Sequence, residues 1–320
     1  MISNSDDNGR SWSTPETAFG AISGTVIEGR DTRDPRLAVM PSGHVVLTFF
    51  MPELQGQPGS GGLWYAVKQP LDRRFGTAVQ LHAGMASHGS ALPIAEKPGA
   101  PQNQVLIPAY SGGDSSAGGA WYIRATWQED QMRLQVTDVR KIMNNWNPPG
   151  RRYSEPHLVQ VADTVIGVVR AEQNGNGSPA IVVKWDPYLA TPNYSYQSLP
   201  SVIASSHHLL VTSCGNVLFT YGDRGATDRR PTVGLLIERP LETWVPGSAL
   251  SIYDSGIGAA PGALGDQANP ASVEGASTTF LTLGFNAKDK VSDPQNGGSL
   301  WVIETTRPDY QPDEGCSVGG

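Results

Sequence analysis

Five short polar clusters stand just ahead of five apolar, strand-like runs. They are Arg33–Asp34, Ser87–His88, Ser154–Glu155, His207–His208, and Gln267 with Asn269. If the five segments repeat around one axis, these positions are equivalent and gather at one end of a central channel. A ring of Arg, Asp, His, Glu and Asn there suits a polar ligand. The alternative is that these groups cap strand ends and hydrogen-bond channel water. Glu155 leads the set, because Arg170 closes the following strand of the same repeat. In a partly desolvated channel the pair serves either catalysis with anion binding or a structural salt bridge. Asp34 is a second carboxylate. Two carboxylates across a cleft are the usual equipment of glycoside hydrolysis, so Glu155 and Asp34 are the candidate catalytic residues.

Arg33, Arg170, Arg230, His88, His208 and Asn269 are the candidate substrate-binding residues around them. Arg224, Arg229 and Arg230 share one loop. The planar fork of an arginine binds both oxygens of a carboxylate, although arginines so close together also read as a solvated loop. His88 reads equally as a ligand contact and as a turn hydrogen bond. His207 and His208 are adjacent, so in a strand only one faces the channel. Without a spaced third ligand they make no metal site, and no metal or other cofactor is expected. Tyr110, Trp121 and Trp146 are candidates to stack on sugar faces, but most aromatics must fill the space between sheets. Asn193-Tyr194-Ser195 is a formal glycosylation sequon, meaningful only in a secreted chain.

The elements that position these groups repeat. The β-rich runs Val45–Phe50, Val105–Tyr110, Val165–Arg170, Val217–Gly222 and Phe280–Phe285 start 60, 60, 52 and 63 residues apart. After each come a loop and a third strand: Leu63–Lys68, Trp121–Thr126, Ala180–Lys184, Gly234–Glu238 and Leu300–Glu304. A weaker fourth strand usually follows, and helical periodicity is nearly absent. A unit of this length with four short strands is a β-propeller blade. Stacked blades bury both sheet faces, which explains apolar runs without strict alternation. The sequence therefore predicts one all-β propeller domain over 1–320, with repeats at about 30–81, 86–140, 153–200, 205–253 and 266–310. The last repeat lacks a clear outer strand, whereas residues 1–20 carry a turn and a spare strand near Glu16–Phe19. A closing hairpin over 1–20 would complete five blades beside Leu300–Glu304; the alternative is a six-bladed ring lacking most of its first blade.

Composition excludes several function classes. Charged residues are 17% of the chain and the formal net charge is −7, which disfavours a polyanion binder, so nucleic acid is not an expected partner. No apolar run reaches the roughly 18–20 residues of a membrane span. Met1 is followed by a turn motif rather than a basic-then-apolar leader. Location stays open between a cytoplasmic chain as written and an extracellular or virion-associated one whose export signal is absent. Cys214 and Cys316 give neither a disulfide framework nor metal spacing.

Ser5-Asp6-Asp7-Asn8-Gly9-Arg10-Ser11-Trp12 matches the Asp box, Ser-x-Asp-x-Gly-x-Ser/Thr-Trp, at every fixed position. The Asp and Ser side chains cap a tight turn, Gly permits its positive φ, and Trp packs beneath. On this motif the chain resembles the sialidase (neuraminidase) superfamily of Asp-box, or BNR-repeat, propellers, which have six blades. Arg33-Asp34-Pro35-Arg36-Leu37, Ser87-His88-Gly89 with Ile107-Pro108-Ala109-Tyr110, and Tyr153-Ser154-Glu155-Pro156 with Arg170 look like successive blades of that family. Ser206-His207-His208-Leu209 with Thr220-Tyr221-Gly222-Asp223-Arg224, and Asn269-Pro270-Ala271-Ser272, continue the series. The resemblance implies that Arg170 and Arg230 belong to a carboxylate-binding triad and that the ligand is a glycan or other acidic carbohydrate. It also marks departures. The family's first blade, with a triad arginine and the acid/base aspartate, would precede this sequence, and Asn269 stands where the family has a nucleophilic tyrosine. Two readings follow: a sialidase-like glycan-recognising protein, possible as a glycoside hydrolase, or a non-catalytic adhesion or assembly propeller of a virion or cell surface, with a partner chain or oligomer supplying what is missing.

Overall fold

The computed structural model describes residues 2–7, 9–18, 31–53, 55, 61–112, 118–225, 230–254, 266–275, 279–287 and 299–310. The fold is an all-β propeller of five blade sheets. The first blade is β1 (Arg33–Val39), β2 (Val45–Met51), β3 (Gly62–Lys68) and β4 (Val79–Ala83), hydrogen-bonded in that order. The second is β5 (Leu92–Pro93), β6 (Gln104–Ser111), β7 (Gly119–Gln128) and β8 (Arg133–Asn144). The third is β9 (Arg151–Val161), β10 (Thr164–Gln173), β11 (Asn176–Trp185) and β12 (Ser195–Leu199). The fourth is β13 (Ala204–Val211), β14 (Val217–Asp223), β15 (Thr232–Ile237) and β16 (Leu250–Tyr253). The fifth has three strands among the described residues, β17 (Asp266–Glu274), β18 (Thr279–Ala287) and β19 (Ser299–Thr306), followed by the short helix α1 (Arg307–Tyr310). The expected second-strand runs lie on β2, β6, β10, β14 and β18, and the third-strand runs on β3, β7, β11, β15 and β19.

The chain divides into two compact units. One comprises Met1–Ser5, Trp12–Gln160 and Asp186–Asn193; the other comprises Asp6–Ser11, Val161–Trp185 and Tyr194–Gly320. In the first unit, Val46, Leu63 and Tyr65 pack with Val105, Ile107 and Ile123 in one core, so the first two blades bury facing side chains. Leu47, Phe49 and Trp64 face the other way and bury Ala18 and Phe75. Both faces of β2 are thus covered, which is why its sequence does not alternate. The N-terminal segment is tied within this unit. Glu16 exchanges both backbone hydrogen bonds with Ile2, and the Ala18 carbonyl accepts from the Phe75 N–H at 2.8 Å. Phe19 lies outside the described residues, and closure of the last blade by residues 1–20 is a proposal.

In the second unit, aromatic contacts carry the packing. Phe219 stacks on Tyr221 with centroids 4.7 Å apart, and Tyr253 stacks on Trp301 at 4.6 Å. Helix α1 seats Tyr310 against Gly234, where a β-carbon would stand 2.8 Å from the ring. Arg307, 6% exposed, donates to the Asn216 side chain at 2.6 Å. Cys214 is disulfide-bonded, although the sequence offers no disulfide framework; Cys316 lies outside the described residues.

Candidate functional site

One backbone device recurs where the polar clusters fall. On β1, Arg33 pairs with Phe50 and Arg36 with Thr48, so three steps on β1 oppose two on β2. The extra residue makes a β-bulge and re-aims a side chain. The same offset occurs between Ser205 and His208 on β13, and between Ala268 and Ala271 on β17. Inside these bulges Asp34, Ser206 and Asn269 have φ of 49°, 48° and 54°, and Glu155 on β9 has φ of 52°. A left-handed backbone at four non-glycine residues is uncommon and costs energy, and such positions cluster at ligand sites. Pro35, Pro156 and Pro270 follow three of them. The second blade departs from this pattern: Ser87 is buried, and its hydroxyl donates to the Gly89 and Pro108 carbonyls, both at 3.1 Å.

In the first unit the structure brings Asp34, His88 and Glu155 around a residue that the sequence reading passed over. Arg36 is 5% exposed, and its Nε donates to the His88 carbonyl at 2.7 Å. Burial pulls its pKa down to about 10, and the charges of Asp34 and then Glu155 oppose that fall. His88 and His157 are both buried. Arg33, a candidate ligand contact, is exposed and paired with Asp31 at 2.6 Å. Tyr110 lines a cavity of about 230 Å³ with Phe50, Met51, Glu53 and Met85. Trp121 packs on the core with Lys141 over its face at 4.3 Å, whereas Trp146 stays 41% exposed.

The second unit holds the remaining candidates. Arg170 pairs with Glu172, which Arg224 also reaches at 3.4 Å. Glu172 was the residue missing from the sequence reading here; its position two residues after Arg170 on one strand was the available signal. Arg230 donates to the Ser205 hydroxyl and, at 2.6 Å, to that of Ser206. Arg229 lies outside the described residues. His207 is fully buried and its Nε2 donates to the Val168 carbonyl at 2.8 Å, so it serves the core. His208 is the less buried histidine, and its Nδ1 accepts from the Ser272 N–H at 3.3 Å. A neutral His208 therefore carries its proton on Nε2. Ser272 links Thr220 and Thr282 through a buried hydroxyl chain at 3.2 and 3.0 Å. Asn269 sits half-buried on β17, and the side chain of Gln267 lies outside the described residues. Among the described residues no three His, Cys, Asp or Glu side chains converge as metal ligands, and no helix is long and apolar enough to cross a membrane.

No protein-family profile and no curated protein matches the sequence. Solved structures do match the fold. A protein of unknown function from Dyadobacter fermentans DSM 18053 aligns with a TM-score of 0.65 at 12% identity, over 94% of this chain and 82% of that one. The Hadza microbial sialidase Hz136 aligns with a TM-score of 0.60 at 12% identity, over 88% of this chain and 56% of that one. A thermostable family-43 glycoside hydrolase aligns with a TM-score of 0.50 at 9% identity, over 86% of this chain and 92% of that one. At these identities the likeness is one of propeller fold, shared with glycoside hydrolases, and the site must argue the function.

Proposed function

We propose that this chain is a sialidase-like, glycan-recognising propeller whose ligand meets Asp34, His88 and Glu155 in the first unit. One observation carries the reading. Two acidic residues, on the inner strands of different blades, are held in left-handed backbone positions and share the field of one buried arginine. A packed sheet tolerates strained acidic side chains beside a buried charge at a cost, and a polar ligand is the physical reason to keep them. Arg170 and Arg230 each commit donors to Glu172, Ser205 and Ser206, and a guanidinium has five. Both arginines, with His208 and Asn269, are the proposed glycan contacts of the second unit. If the chain is an enzyme, Asp34 and Glu155 supply the carboxylate pair of a glycoside hydrolase. The fold neighbours support carbohydrate as the ligand class.

A second reading rests on Asn269. Its neutral amide occupies the fifth blade's left-handed position, where no nucleophile is then available. That favours a non-catalytic adhesion or assembly propeller. A glycan array run beside hydrolysis assays on the same sugars separates the readings. Capture without turnover supports binding alone; turnover abolished by both Glu155→Gln and Asp34→Asn supports the hydrolase. No captured glycan and no turnover would sink the glycan reading.

A further inference from the structure

We propose that Trp146 is a stacking platform for one ring of an oligosaccharide, a different ring from the one that meets Glu155. The ligand half of this rests on the glycan reading above. Trp146 lies in the loop between β8 and β9, in the first unit, with φ of 63°. Among the described non-glycine residues with positive φ it is the one aromatic. That backbone is ordinary for asparagine and a genuine outlier for a bulky side chain. The indole is nevertheless 41% exposed, so burial offsets only part of the strain. Strain held at an exposed aromatic points to a ligand that uses it. Trp121 is different: its Nε1 donates to the Ser111 hydroxyl at 3.0 Å, and Lys141 covers its face at 4.3 Å.

The loop is braced from both sides. Asn145 is 3% exposed; its N–H donates to the Gly118 carbonyl at 3.1 Å, and its side-chain oxygen accepts from the Tyr153 N–H at 2.7 Å. The Trp146 N–H donates to the Arg151 carbonyl at 2.7 Å, and the Arg151 N–H donates to the Pro148 carbonyl at 3.1 Å. The buried Tyr153 closes the loop through its hydroxyl, which donates to the Asn147 carbonyl at 3.1 Å. The platform is therefore ordered before a ligand arrives, and binding costs it little entropy. Its place follows from the same bonds. Arg151, the partner of Trp146, opens β9 four residues before Glu155. At about 3.3 Å per residue they stand roughly 13 Å apart along the strand. One sugar ring does not cover that length, so Trp146 and Glu155 meet different rings of one chain. An indole face attracts the C–H face of a pyranose and needs no charge on it. The ligand class is thus an oligosaccharide with a pyranose ring whose C–H face is unbroken by an axial hydroxyl.

The test has a ligand-free arm and a ligand arm. Without ligand, urea midpoints of Trp146→Gly and Trp146→Ala are compared. Glycine is at ease with positive φ and alanine is not, so the Gly variant should have the higher midpoint. A lower midpoint in Trp146→Gly overturns the strain. In the ligand arm, an array of gluco-, galacto- and manno-oligosaccharides from one to six rings is probed with wild type, Trp146→Ala and Trp146→Phe. Trp146→Ala should weaken capture of the longer chains about threefold to tenfold, leave single rings unchanged, and be partly rescued by Trp146→Phe. Equal loss on single rings and long chains overturns the platform, because a distorted loop would act on both. Unchanged capture of every chain overturns it while the glycan reading stands. Capture of nothing by wild type overturns the ligand half together with that reading, and the urea arm still decides the strain. In protein carrying 5-fluorotryptophan, the ¹⁹F resonance missing from Trp146→Phe should shift with a captured oligosaccharide and not with its monosaccharide. A resonance that the oligosaccharide leaves unmoved overturns stacking.

Discussion

Gly89 and Pro156 approach so closely that a β-carbon on Gly89 would stand 2.7 Å from the Pro156 carbonyl oxygen. The Pro108 ring, 2.5 Å from the same point, closes the other side. Neither neighbour is the end of a flexible side chain, so any substituent must move backbone or a proline ring. Gly89→Ala should therefore destabilise the protein by about 1–3 kcal/mol, as overpacking does. It should also weaken ligand binding, because the displaced segments carry His88 and Glu155. Gly247→Ala, where nothing lies within 4 Å, is the matched control and should be near neutral. Urea unfolding of the two variants checks the contrast; equal midpoints would show that the contact is not rigid.

The Asp7 carboxylate takes hydrogen bonds from the Ser11 N–H at 2.8 Å and the Ser11 hydroxyl at 2.5 Å, in an exposed turn. These two bonds cap the turn, which is a structural role. Asp7→Ala should cost about 1–2 kcal/mol, as a lost capping side chain does, with glycan capture unchanged. Unchanged melting with abolished capture would mean that the turn itself is a binding element.

How much of this was legible follows from which forces write periodicity into sequence. The second and third strands of each blade are buried on both faces, so runs such as Val105–Tyr110 on β6 are visible without an alignment. Asp34, Glu155 and Asn269 were visible because each sits before a proline at the start of a repeat. The bulge was not, because a one-residue offset leaves composition unchanged. It makes Ser206, rather than His207 or His208, the fourth-blade counterpart of Asp34. Arg36 was also missed. Arginine on a strand usually marks a solvent face, and only the packing of β1 against the His88 carbonyl shows that this one is buried. The disulfide at Cys214 left no signal either, since two cysteines a hundred residues apart carry no spacing pattern.

Tyr310 supplies a pH-dependent term. Burial first, and then Asp309, push its phenol up to about 12, against the hydrogen bond with Thr305, which pulls the other way. A raised folded-state value means that the folded form holds the proton more tightly. Stability is therefore complete below the unfolded tyrosine value near 10 and drains away as pH rises toward 12. The loss over that window should be about 2–3 kcal/mol. Tyr221, raised by burial and by Asp223, adds a loss of the same sign. Urea midpoints at pH 8, 10 and 11.5 should fall less steeply in Tyr310→Phe than in wild type. Parallel curves would remove Tyr310 from the alkaline transition.

The last prediction separates sugar recognition from sialidase chemistry. Asn269 holds the fifth blade's left-handed position on β17 and presents an amide. An amide cannot form the covalent glycosyl intermediate that divides the family's reaction into two easier steps, so a fluorogenic sialoside should release nothing above buffer. Binding is less exposed to this loss. If Arg170 contacts the glycan, Arg170→Ala should weaken glycan affinity by about 1.5–3 kcal/mol, the cost of a lost charged hydrogen bond. Any turnover should instead appear on a neutral glycoside and need both Asp34 and Glu155, because a carboxylate pair needs no tyrosine nucleophile. Sialic acid release that vanishes in Glu155→Gln would overturn the catalytic half of this prediction. Unchanged affinity in both the Arg170→Ala and Arg230→Ala variants would overturn the binding half.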